Sequence, residues 1–286
     1  MMTIYNPNVI ENDCEIYLKN TLETFDLTFL DPPFNQGKDY KNTDDNLKPS
    51  EYWEWMRRIC KLVYDKTSEG GAMYFMQREK NTRYVIETLD KSGWTFQNLI
   101  IWKKKSSAVP GRYRYGKHYQ VIAFFTKGKR PRVFNRLRID LPLLANQKIK
   151  RENGVFVTDV WDDIRELTSG YFAGDEAIRL ESGERAHKQQ TPIKVLTRMI
   201  LSSSNIDDMI LDPFAGTGTT LVVSKQLQRN STGIEINPDN IKLIEKRISE
   251  NRKSDNIFKD RNYYRFTNNL DEIWPDVGLR RYISDV

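Results

Sequence analysis

Residues 211–235 constrain the fold of this 286-residue chain more than any other stretch. An apolar run ends in Asp212, a turn follows with Gly216 and Gly218, and a second apolar run ends in Glu235. A helix-forming segment lies between the turn and the second run. A strand, a glycine turn, a helix and a further strand make up a nucleotide-binding βα unit of a parallel sheet.

The same alternation of strand and helix patterns runs through most of the chain. Ser50 and Thr191 are the expected N-caps of two helices, with Pro192 at the first position of the second, and Gly70-Gly71 is expected to end the region of the first. The pattern predicts a doubly wound, mostly parallel α/β sheet. The predicted strands cover residues 25–30, 72–76, 96–102, 119–125, 208–211 and 231–236, and the predicted helices cover 50–63, 81–89, 191–201, 219–227 and 238–248.

The first strand ends in the tetrapeptide Asp31-Pro32-Pro33-Phe34. A proline donates no ladder hydrogen bond and fixes its own φ, so the strand must stop there. The result is a stiff loop that holds a carboxylate, a free carbonyl and an aromatic ring where α/β sheets bind ligands. A turn with a capping Asp is the plainer interpretation of the same four residues.

The glycine turn predicts a particular kind of nucleotide ligand. A dinucleotide fingerprint needs a third glycine where this chain has Leu221, which argues against a bound pyrophosphate and against a nicotinamide enzyme. Glu235 stands 19 residues after Gly216, where an acid can accept hydrogen bonds from ribose hydroxyls. An adenosine without phosphates fits this pattern, and S-adenosylmethionine is such a ligand.

A basic stretch indicates a polyanionic partner. Residues 103–151 contain 15 Lys or Arg side chains and the single acid Asp140, whereas the whole chain has a net charge of only +6. Tyrosines and other aromatic residues are interleaved with these charges, as in nucleic-acid-binding surfaces, although a solvated basic face is the simpler alternative. The candidate contacts are Lys103, Lys104, Lys105, Arg112, Arg114, Arg130, Arg132 and Arg136.

The two motifs together resemble the beta group of the DNA amino-methyltransferases of bacterial restriction–modification systems. The tetrapeptide comes first, the basic region next, and Asp212-Pro213-Phe214-Ala215-Gly216-Thr217-Gly218-Thr219-Thr220 last, which is the permuted motif order of that group. The resemblance implies a Rossmann-like methyltransferase fold, S-adenosyl-L-methionine as cofactor and duplex DNA as substrate. It implies catalytic roles for Asp31, Pro32, Pro33 and Phe34, and cofactor binding by Asp13, Asp212, Phe214, Ala215, Gly216, Thr217, Gly218, Thr219, Thr220, Glu235 and Asn237.

Some residues support this resemblance and others depart from it. Trp161-Asp162-Asp163-Ile164 resembles a segment ahead of the family's linker, and His187-Lys188-Gln189-Gln190-Thr191-Pro192 resembles its His-Pro-Thr-Gln-Lys-Pro segment. The second of these departs at Lys188, Gln189 and Thr191, and Asn240 stands near the place of a common tyrosine. For Asp13 a turn-capping role is the alternative to a role in holding the base or the cofactor, whereas for Asp212 capping of the glycine turn is compatible with cofactor binding.

The expected reaction is methylation of the exocyclic N6 amine of adenine after the base has rotated out of the duplex. The family usually places Ser before Pro-Pro for cytosine, so Asp31 favours adenine over the cytosine N4 amine. An RNA methyltransferase and a catalytically silent DNA-binding module remain alternatives. The DNA recognition sequence cannot be read from residue types.

The same considerations predict the domain organisation. We expect the catalytic half of a methyltransferase domain in residues 1–128, a target-recognition insert in 129–183, the cofactor-binding half in 184–252 and a C-terminal extension in 253–286. The insert is not expected to continue the sheet, and the extension shows no assignable pattern.

The remaining expectations concern metals, location and partners. Cys14 and Cys60 show no metal-ligand or disulfide spacing, and His118 and His187 complete no nucleophilic set, so no metal is expected. No apolar window is long enough for a membrane span, and a bacterial cytoplasm is the expected location. The resemblance allows a homodimer and a cognate restriction endonuclease in the same system.

Overall fold

The computed structural model describes residues 5–35, 46–142, 151–167, 174–179, 182–186, 190–250 and 252–275. Its strands are β1 (Asn8–Glu11), β2 (Phe25–Leu30), β3 (Thr67–Arg78), β4 (Thr95–Lys103), β5 (Tyr119–Thr126), β6 (Arg138–Ile139), β7 (Val155–Phe156), β8 (Val160–Trp161), β9 (Met209–Asp212) and β10 (Asn230–Glu235). Its helices are α1 (Cys14–Asn20), α2 (Pro49–Asp65), α3 (Thr82–Lys91), α4 (Ile193–Ser203), α5 (Thr219–Gln226), α6 (Pro238–Ser249) and α7 (Leu270–Ile273).

Eight of these strands form one sheet in the order β1-β10-β9-β2-β3-β5-β4-β8. Its neighbours pair in parallel except where β5 runs antiparallel to β3 and β4. From β2 the chain continues through β3 to β5 on one side of the centre, and from β9 it continues to β10 on the other side. The predicted doubly wound, mostly parallel α/β sheet is therefore confirmed, and its strand order reverses between β2 and β9.

The alternation of side chains along the strands separates two apolar layers. In β3, Tyr74 packs with α4 and α5, whereas Met73 and Phe75 pack with α1, α2 and α3. In β5, Phe124 and Phe125 divide in the same way between these two layers. Both faces of the central strands are buried, which explains their nearly continuous apolar runs.

Several predicted element boundaries were wrong. Helix α2 begins at Pro49 with Lys48 as N-cap instead of Ser50, because the fixed φ of proline suits the first helical position. Gly70 lies inside β3, beside a register shift, instead of ending the helical region. Pro192 is the N-cap of α4 and leaves Thr191 outside the helix. Strand β1 was not predicted at all; its four residues pair with β10 at the sheet edge.

Part of the region from 129 to 183 continues the main sheet, contrary to expectation. Strand β8 pairs with the end of β4, and Trp161 and Ile164 are buried in the layer around α4. Asp163 accepts two hydrogen bonds from the buried guanidinium of Arg198, at 2.9 and 2.5 Å. Strands β6 and β7 form a separate two-stranded ribbon.

Residues 252–275 also pack into the main body, although no pattern was recognised there. They form two short 3-10 segments, Lys253–Asp255 and Ile257–Tyr264, followed by α7. Tyr264 and Trp274 are buried beside α4 and α5. The predicted segment 253–286 thus completes one apolar layer over its described part.

Candidate active site

The site begins where the two central strands end. Leu27 and Thr28 of β2 pair with Ile210 and Leu211 of β9 in parallel. Both strands therefore end at the same edge of the sheet, with Asp31 just beyond β2 and Asp212 as the last residue of β9. This edge is the point of strand-order reversal, where open α/β sheets bind ligands.

A cavity of about 310 Å³ opens at this edge. Most of the predicted site residues line it, which brings together residues that lie far apart in the chain. Its walls come from the β2 loop, the start of α1, the glycine turn and the end of β10. The predicted residues that line it are Asp13, Asp31, Pro32, Pro33, Asp212, Phe214, Ala215, Gly216, Thr217, Thr219, Thr220, Glu235 and Asn237.

Asp31 is held by Thr191, for which only a helix-capping role was expected. The Thr191 hydroxyl donates a hydrogen bond to Oδ2 of Asp31 at 3.0 Å. Burial raises the pKa of Asp31 to about 8, and the Asp212 charge adds to this increase, whereas Thr191 and Lys104 oppose it. Burial therefore favours the neutral form of this carboxyl group.

The loop that contains the two prolines after Asp31 is held in place by hydrogen bonds. The Tyr52 hydroxyl of α2 donates to the Pro33 carbonyl at 2.7 Å, and Gln77 Nε2 donates to the Tyr52 oxygen at 3.1 Å. Phe34 is only 4% exposed and is absent from the cavity lining. Stacking of a base on Phe34 therefore requires a rearrangement of this ring.

Asp212 organises the glycine turn. Its Oδ1 accepts the N–H of Phe214 at 3.1 Å, and its Oδ2 accepts the Thr220 hydroxyl at 2.5 Å. Burial raises the pKa of Asp212 to about 6, although these two hydrogen bonds favour the ionised form. Asp212 thus caps the turn and also presents its carboxyl group to the cavity.

The two glycines of the turn have different structural roles. Both have the left-handed backbone that favours glycine, with φ of 55° at Gly216 and 76° at Gly218. A Cβ at Gly216 would meet only the Phe214 carbonyl at 3.8 Å, whereas one at Gly218 would approach Ile244 to 3.0 Å. Gly216 lines the cavity and keeps space for a ligand, whereas Gly218 allows α6 to pack closely.

Glu235 ends β10 and accepts several backbone N–H groups. Oε2 accepts Gly216 at 2.8 Å, and Oε1 accepts Ile236 at 3.0 Å and Asn237 at 2.8 Å. Burial raises the pKa of Glu235, and these bonds partly offset that increase. Asn237 caps α6 by accepting the N–H of Asp239 at 2.9 Å.

Asp13 performs the capping role that was considered for it. Its Oδ1 accepts the N–H groups of Glu15 at 2.8 Å and Ile16 at 3.0 Å, at the start of α1. It also lines the cavity, next to Asn12, whose N–H donates to the Glu235 carbonyl at 3.1 Å. Asp13 therefore caps α1 and forms part of the cavity wall at the same time.

These features fit S-adenosylmethionine as a ligand. The space beside Gly216 admits close approach to the backbone, and Glu235 lines the cavity at the strand end where a ribose is expected, with both of its oxygens already accepting backbone N–H groups. Asp31 and Asp212 supply two carboxyl groups for a cationic ligand. Asn12, Trp55, Gln190, Thr191 and Asn240 also line the cavity, but sequence reasoning did not assign them, because their approach depends on the fold.

Five of the predicted basic residues lie at the edge that carries the cavity. Lys103 ends β4, and residues 104–118, here called the arm, connect it to β5. The arm is closed by hydrogen bonds from the Lys104 N–H to the His118 carbonyl at 2.8 Å and from the Ala108 N–H to the Lys117 carbonyl at 2.9 Å. It carries Lys104, Lys105, Arg112 and Arg114, together with Tyr113 and Tyr115, whose side chains are 86% and 96% exposed.

The other three predicted basic residues do not join this group. Because β5 runs antiparallel, Arg130 and Arg132 follow its end at the opposite edge of the sheet. Arg132 forms ion pairs there with Asp208 at 2.5 Å and Asp26 at 3.3 Å. Arg136 stacks on Phe156, with its guanidinium 4.5 Å from the ring centre.

The described ranges contain no group of three or more His, Cys, Asp or Glu side chains that could hold a metal ion. His187 lies outside the described residues, as do Lys188 and Gln189. No described helix has the length and apolar character needed to cross a bilayer.

Known proteins resemble this chain over most of its length. The sequence model of a DNA methylase family matches residues 25–246. The type II methyltransferase M.HpaI of Haemophilus parainfluenzae is 32% identical over 234 residues, which is 81% of this chain and 70% of that protein. The DNA adenine methyltransferase YhdJ of Escherichia coli (strain K12) is 29% identical over 256 residues, covering 84% of this chain and 82% of YhdJ.

Solved structures show the same fold at lower sequence identity. The cytosine-N4-specific PvuII DNA methyltransferase superposes with a TM-score of 0.64 at 20% identity, over 93% of this chain and 94% of that one. The M1.HpyAVI–SAM complex superposes with a TM-score of 0.55 at 22% identity, over 84% and 99%.

Proposed function

Because the chain belongs to the DNA methylase family, we propose that it methylates the exocyclic N6 amine of adenine at specific sites in duplex DNA. It is a DNA methyltransferase that uses S-adenosyl-L-methionine. The observation that carries the proposal is that Asp31 of the tetrapeptide and Gly216 of the glycine turn line one cavity. The catalytic and cofactor motifs therefore face each other, as a direct transfer requires.

The reaction needs an activated amine. The lone pair of an adenine amine is delocalised into the ring, so the nitrogen is a poor nucleophile. The Asp31 carboxylate and the Pro32 carbonyl would accept its two hydrogens and draw the nitrogen toward tetrahedral geometry. Acceptors fixed before the reaction stabilise the positive charge that develops on the nitrogen during attack.

The neighbouring residues keep these acceptors in place. Pro33 offers no N–H that could compete for the Pro32 carbonyl, and its own carbonyl is occupied by the Tyr52 hydroxyl at 2.7 Å. Thr191 occupies Oδ2 of Asp31 at 3.0 Å, which leaves Oδ1 for the amine. Phe34 would hold the target ring after the rearrangement noted above.

The other half of the cavity would hold the cofactor, which supplies a methyl group on a sulfonium centre. Gly216 would admit the adenosine close to the backbone, and Glu235 and Asn237 would contact its ribose side. Asp212 and Asp13 would face the amino-acid end. Phe214, Ala215, Thr217, Gly218, Thr219 and Thr220 would shape the turn, with Gly218 acting through packing.

DNA would approach the edge that carries the cavity. Lys103 and the arm place positive charge and two exposed tyrosines at the same edge of the sheet as the catalytic loop. Such side chains bind phosphates and stack on bases, and base rotation costs a few kcal/mol that these contacts would offset. The region 129–183 is proposed to read the DNA sequence.

Adenine is favoured over cytosine by the Asp at position 31 and by the similarity to the adenine methyltransferase YhdJ over 84% of this chain. The cytosine-N4-specific PvuII DNA methyltransferase shares the fold with this chain, but at 20% sequence identity this similarity does not bear on the target base. Methylated duplex DNA digested to nucleosides would separate N6-methyladenine from N4-methylcytosine. Recovery of the cytosine product alone would refute the adenine assignment.

The central experiment measures tritium transfer from labelled cofactor to duplex DNA. Asp31→Ala is expected to abolish transfer while cofactor binding, measured by calorimetry, persists. Asp26→Asn is the matched control, because Asp26 lies on the same strand at the opposite edge. Transfer to RNA in preference to DNA, or an active Asp31→Ala variant, would contradict the proposal.

Three further expectations extend the proposal to assembly and context. A homodimer would be recognised by light scattering of the purified protein. A cognate endonuclease would cleave the same DNA sequence only when it is unmethylated. A bacterial cytoplasm is the proposed location.

A further inference from the structure

Thr191 lies where the family resemblance offers no role for its side chain. It is 7% exposed, lines the cavity and donates its hydroxyl hydrogen to Oδ2 of Asp31 at 3.0 Å. Resting on the proposed function, we propose that Thr191 is a positioning residue for Asp31, and that Gln190 and Glu176 tie its position to the recognition region.

The carboxyl group of Asp31 retains one rotational freedom. Asp31 follows the last residue of β2 and precedes two prolines, so its backbone is fixed, but its carboxyl group can still rotate. A hydrogen bond from Thr191 to Oδ2 selects one rotation and directs Oδ1 toward the substrate amine. Misplacement of a reacting group by about 1 Å can cost 10²-fold in rate.

Hydrogen bonds hold the chain on both sides of Thr191. Gln190 is buried, and its side chain makes two hydrogen bonds to the segment 176–178: Oε1 accepts the Ile178 N–H at 2.9 Å and Nε2 donates to the Glu176 carbonyl at 3.0 Å. On the other side of Thr191, the Ile193 N–H donates to Oε1 of Glu176 at 2.6 Å. The backbone is therefore anchored to one segment both before and after Thr191.

Residues 174–179 lie within the region 129–183 that is proposed to read the DNA sequence. They are tied to the protein body by the Arg252 side chain, which donates to the Asp175 carbonyl at 2.9 Å. A shift of this segment would move Gln190 and Ile193 together, and with them the hydroxyl that holds Asp31.

The arrangement thus links recognition to catalysis through contiguous hydrogen bonds. A segment seated on the correct DNA sequence would leave Thr191 bonded to Asp31. A displaced segment would release the carboxyl group and slow the reaction without weakening cofactor binding. The expected signature is a change in kcat, and in its ratio between correct and incorrect sites, at constant cofactor affinity.

The first test compares Thr191→Val with Thr191→Ser. Valine keeps the shape and removes the hydroxyl, so kcat is expected to fall at least tenfold with the KM for cofactor unchanged. Serine is expected to restore most of the rate. Since the Thr191 hydrogen bond lowers the pKa of Asp31, the acid limb of the kcat profile should move to higher pH in the valine variant.

The second test addresses the link to the recognition region. Glu176→Ala removes the acceptor of the Ile193 N–H, whereas Glu176→Gln retains an oxygen at that place. The alanine variant is expected to lower the ratio of correct-site to incorrect-site methylation severalfold, and the glutamine variant is expected to keep it. Thermal melting of each variant checks that it is folded.

The outcomes separate this inference from the proposed function. If the wild-type protein transfers no methyl group to DNA, the proposed function fails. If the wild type is active and Thr191→Val keeps its kcat and acid limb, the positioning role is overturned. If Thr191→Val shows the expected loss of rate but Glu176→Ala leaves the ratio of correct-site to incorrect-site methylation unchanged, the link to the recognition region is refuted. The positioning role of Thr191 then stands.

Discussion

Asp31 comes just after β2 and Asp212 is the last residue of β9, the parallel strand that pairs with β2, and both residues line the same cavity. Burial raises the pKa of Asp31 to about 8 and that of Asp212 to about 6, and the charge of Asp212 adds to the increase at Asp31. Burial therefore favours the protonated form of Asp31. A cationic ligand would favour the ionised forms of both groups.

The first prediction is that cofactor binding releases protons. S-adenosylmethionine carries a sulfonium charge, which should lower the pKa of Asp31 from about 8. Calorimetry at pH 7 in buffers with different ionisation enthalpies should show release of up to about one proton. Asp31→Asn should lose most of this release, and a binding enthalpy independent of the buffer would contradict the prediction.

The second prediction concerns stability and pH. Burial raises the pKa of Asp31 from its ordinary 3.8 to about 8, so the folded state binds the extra proton between these values. The free energy of unfolding should then fall as pH rises through this window, and Asp31→Asn should remove that loss. The stability of the variant relative to wild type should therefore increase as pH rises from 4 to 8.5.

Urea denaturation at several pH values provides the measurement. Asp90→Asn is the control here, since Asp90 is an exposed aspartate at the end of α3. An Asp31→Asn variant whose stability parallels that of wild type at every pH would show that Asp31 is not strained by burial.

The third prediction separates the two glycines of the turn. Gly216→Ala should weaken cofactor binding about tenfold or more, because its Cβ would occupy ligand space, at a folding cost of about 1 kcal/mol. Gly218→Ala should cost about 1–3 kcal/mol more in stability, because its Cβ would press on Ile244. Calorimetry and urea denaturation measure the two effects, and equal behaviour of both variants would contradict the assignment.

The fourth prediction distinguishes the two edges of the sheet. Arg112→Gln should weaken DNA binding at all sequences and reduce the slope of log K against log salt by about 1. Arg130→Gln, also an exposed arginine but at the opposite edge, should leave the slope unchanged. Fluorescence anisotropy with labelled duplexes gives both slopes, and a larger effect of Arg130 would reverse the proposed DNA face.

The fifth prediction tests the buried ion pair that joins the region 129–183 to α4. Arg198 is 1% exposed, and Asp163→Ala would leave its charge without this partner, at a cost of about 3–5 kcal/mol. Asp271→Ala removes the partner of Arg261, but Asp271 is 90% exposed, so the expected cost is within about 1 kcal/mol. Chemical denaturation of the two variants measures the loss in the free energy of unfolding that each substitution causes.

The strands that carry the site could be predicted because their signals are local. The run 25–30 before Asp31 and the run before Asp212 each combine apolar residues with an abrupt stop, and both features lie within a few residues. The glycine turn and Glu235 follow from the same kind of local pattern. Short edge strands such as β1 and β8 escaped prediction, because four or two residues carry too little periodicity.

The sequence by itself thus determined the sheet class, the family and the two motifs that meet in the cavity. Only the tertiary structure decided which distant residues serve them. Thr191 reaches Asp31 from 160 positions away, and the reversal of β5 sends Arg130 to one edge while the arm keeps Arg112 at the other. Such contacts depend on how helices and strands are placed in space, and residue types along the chain do not encode that placement locally.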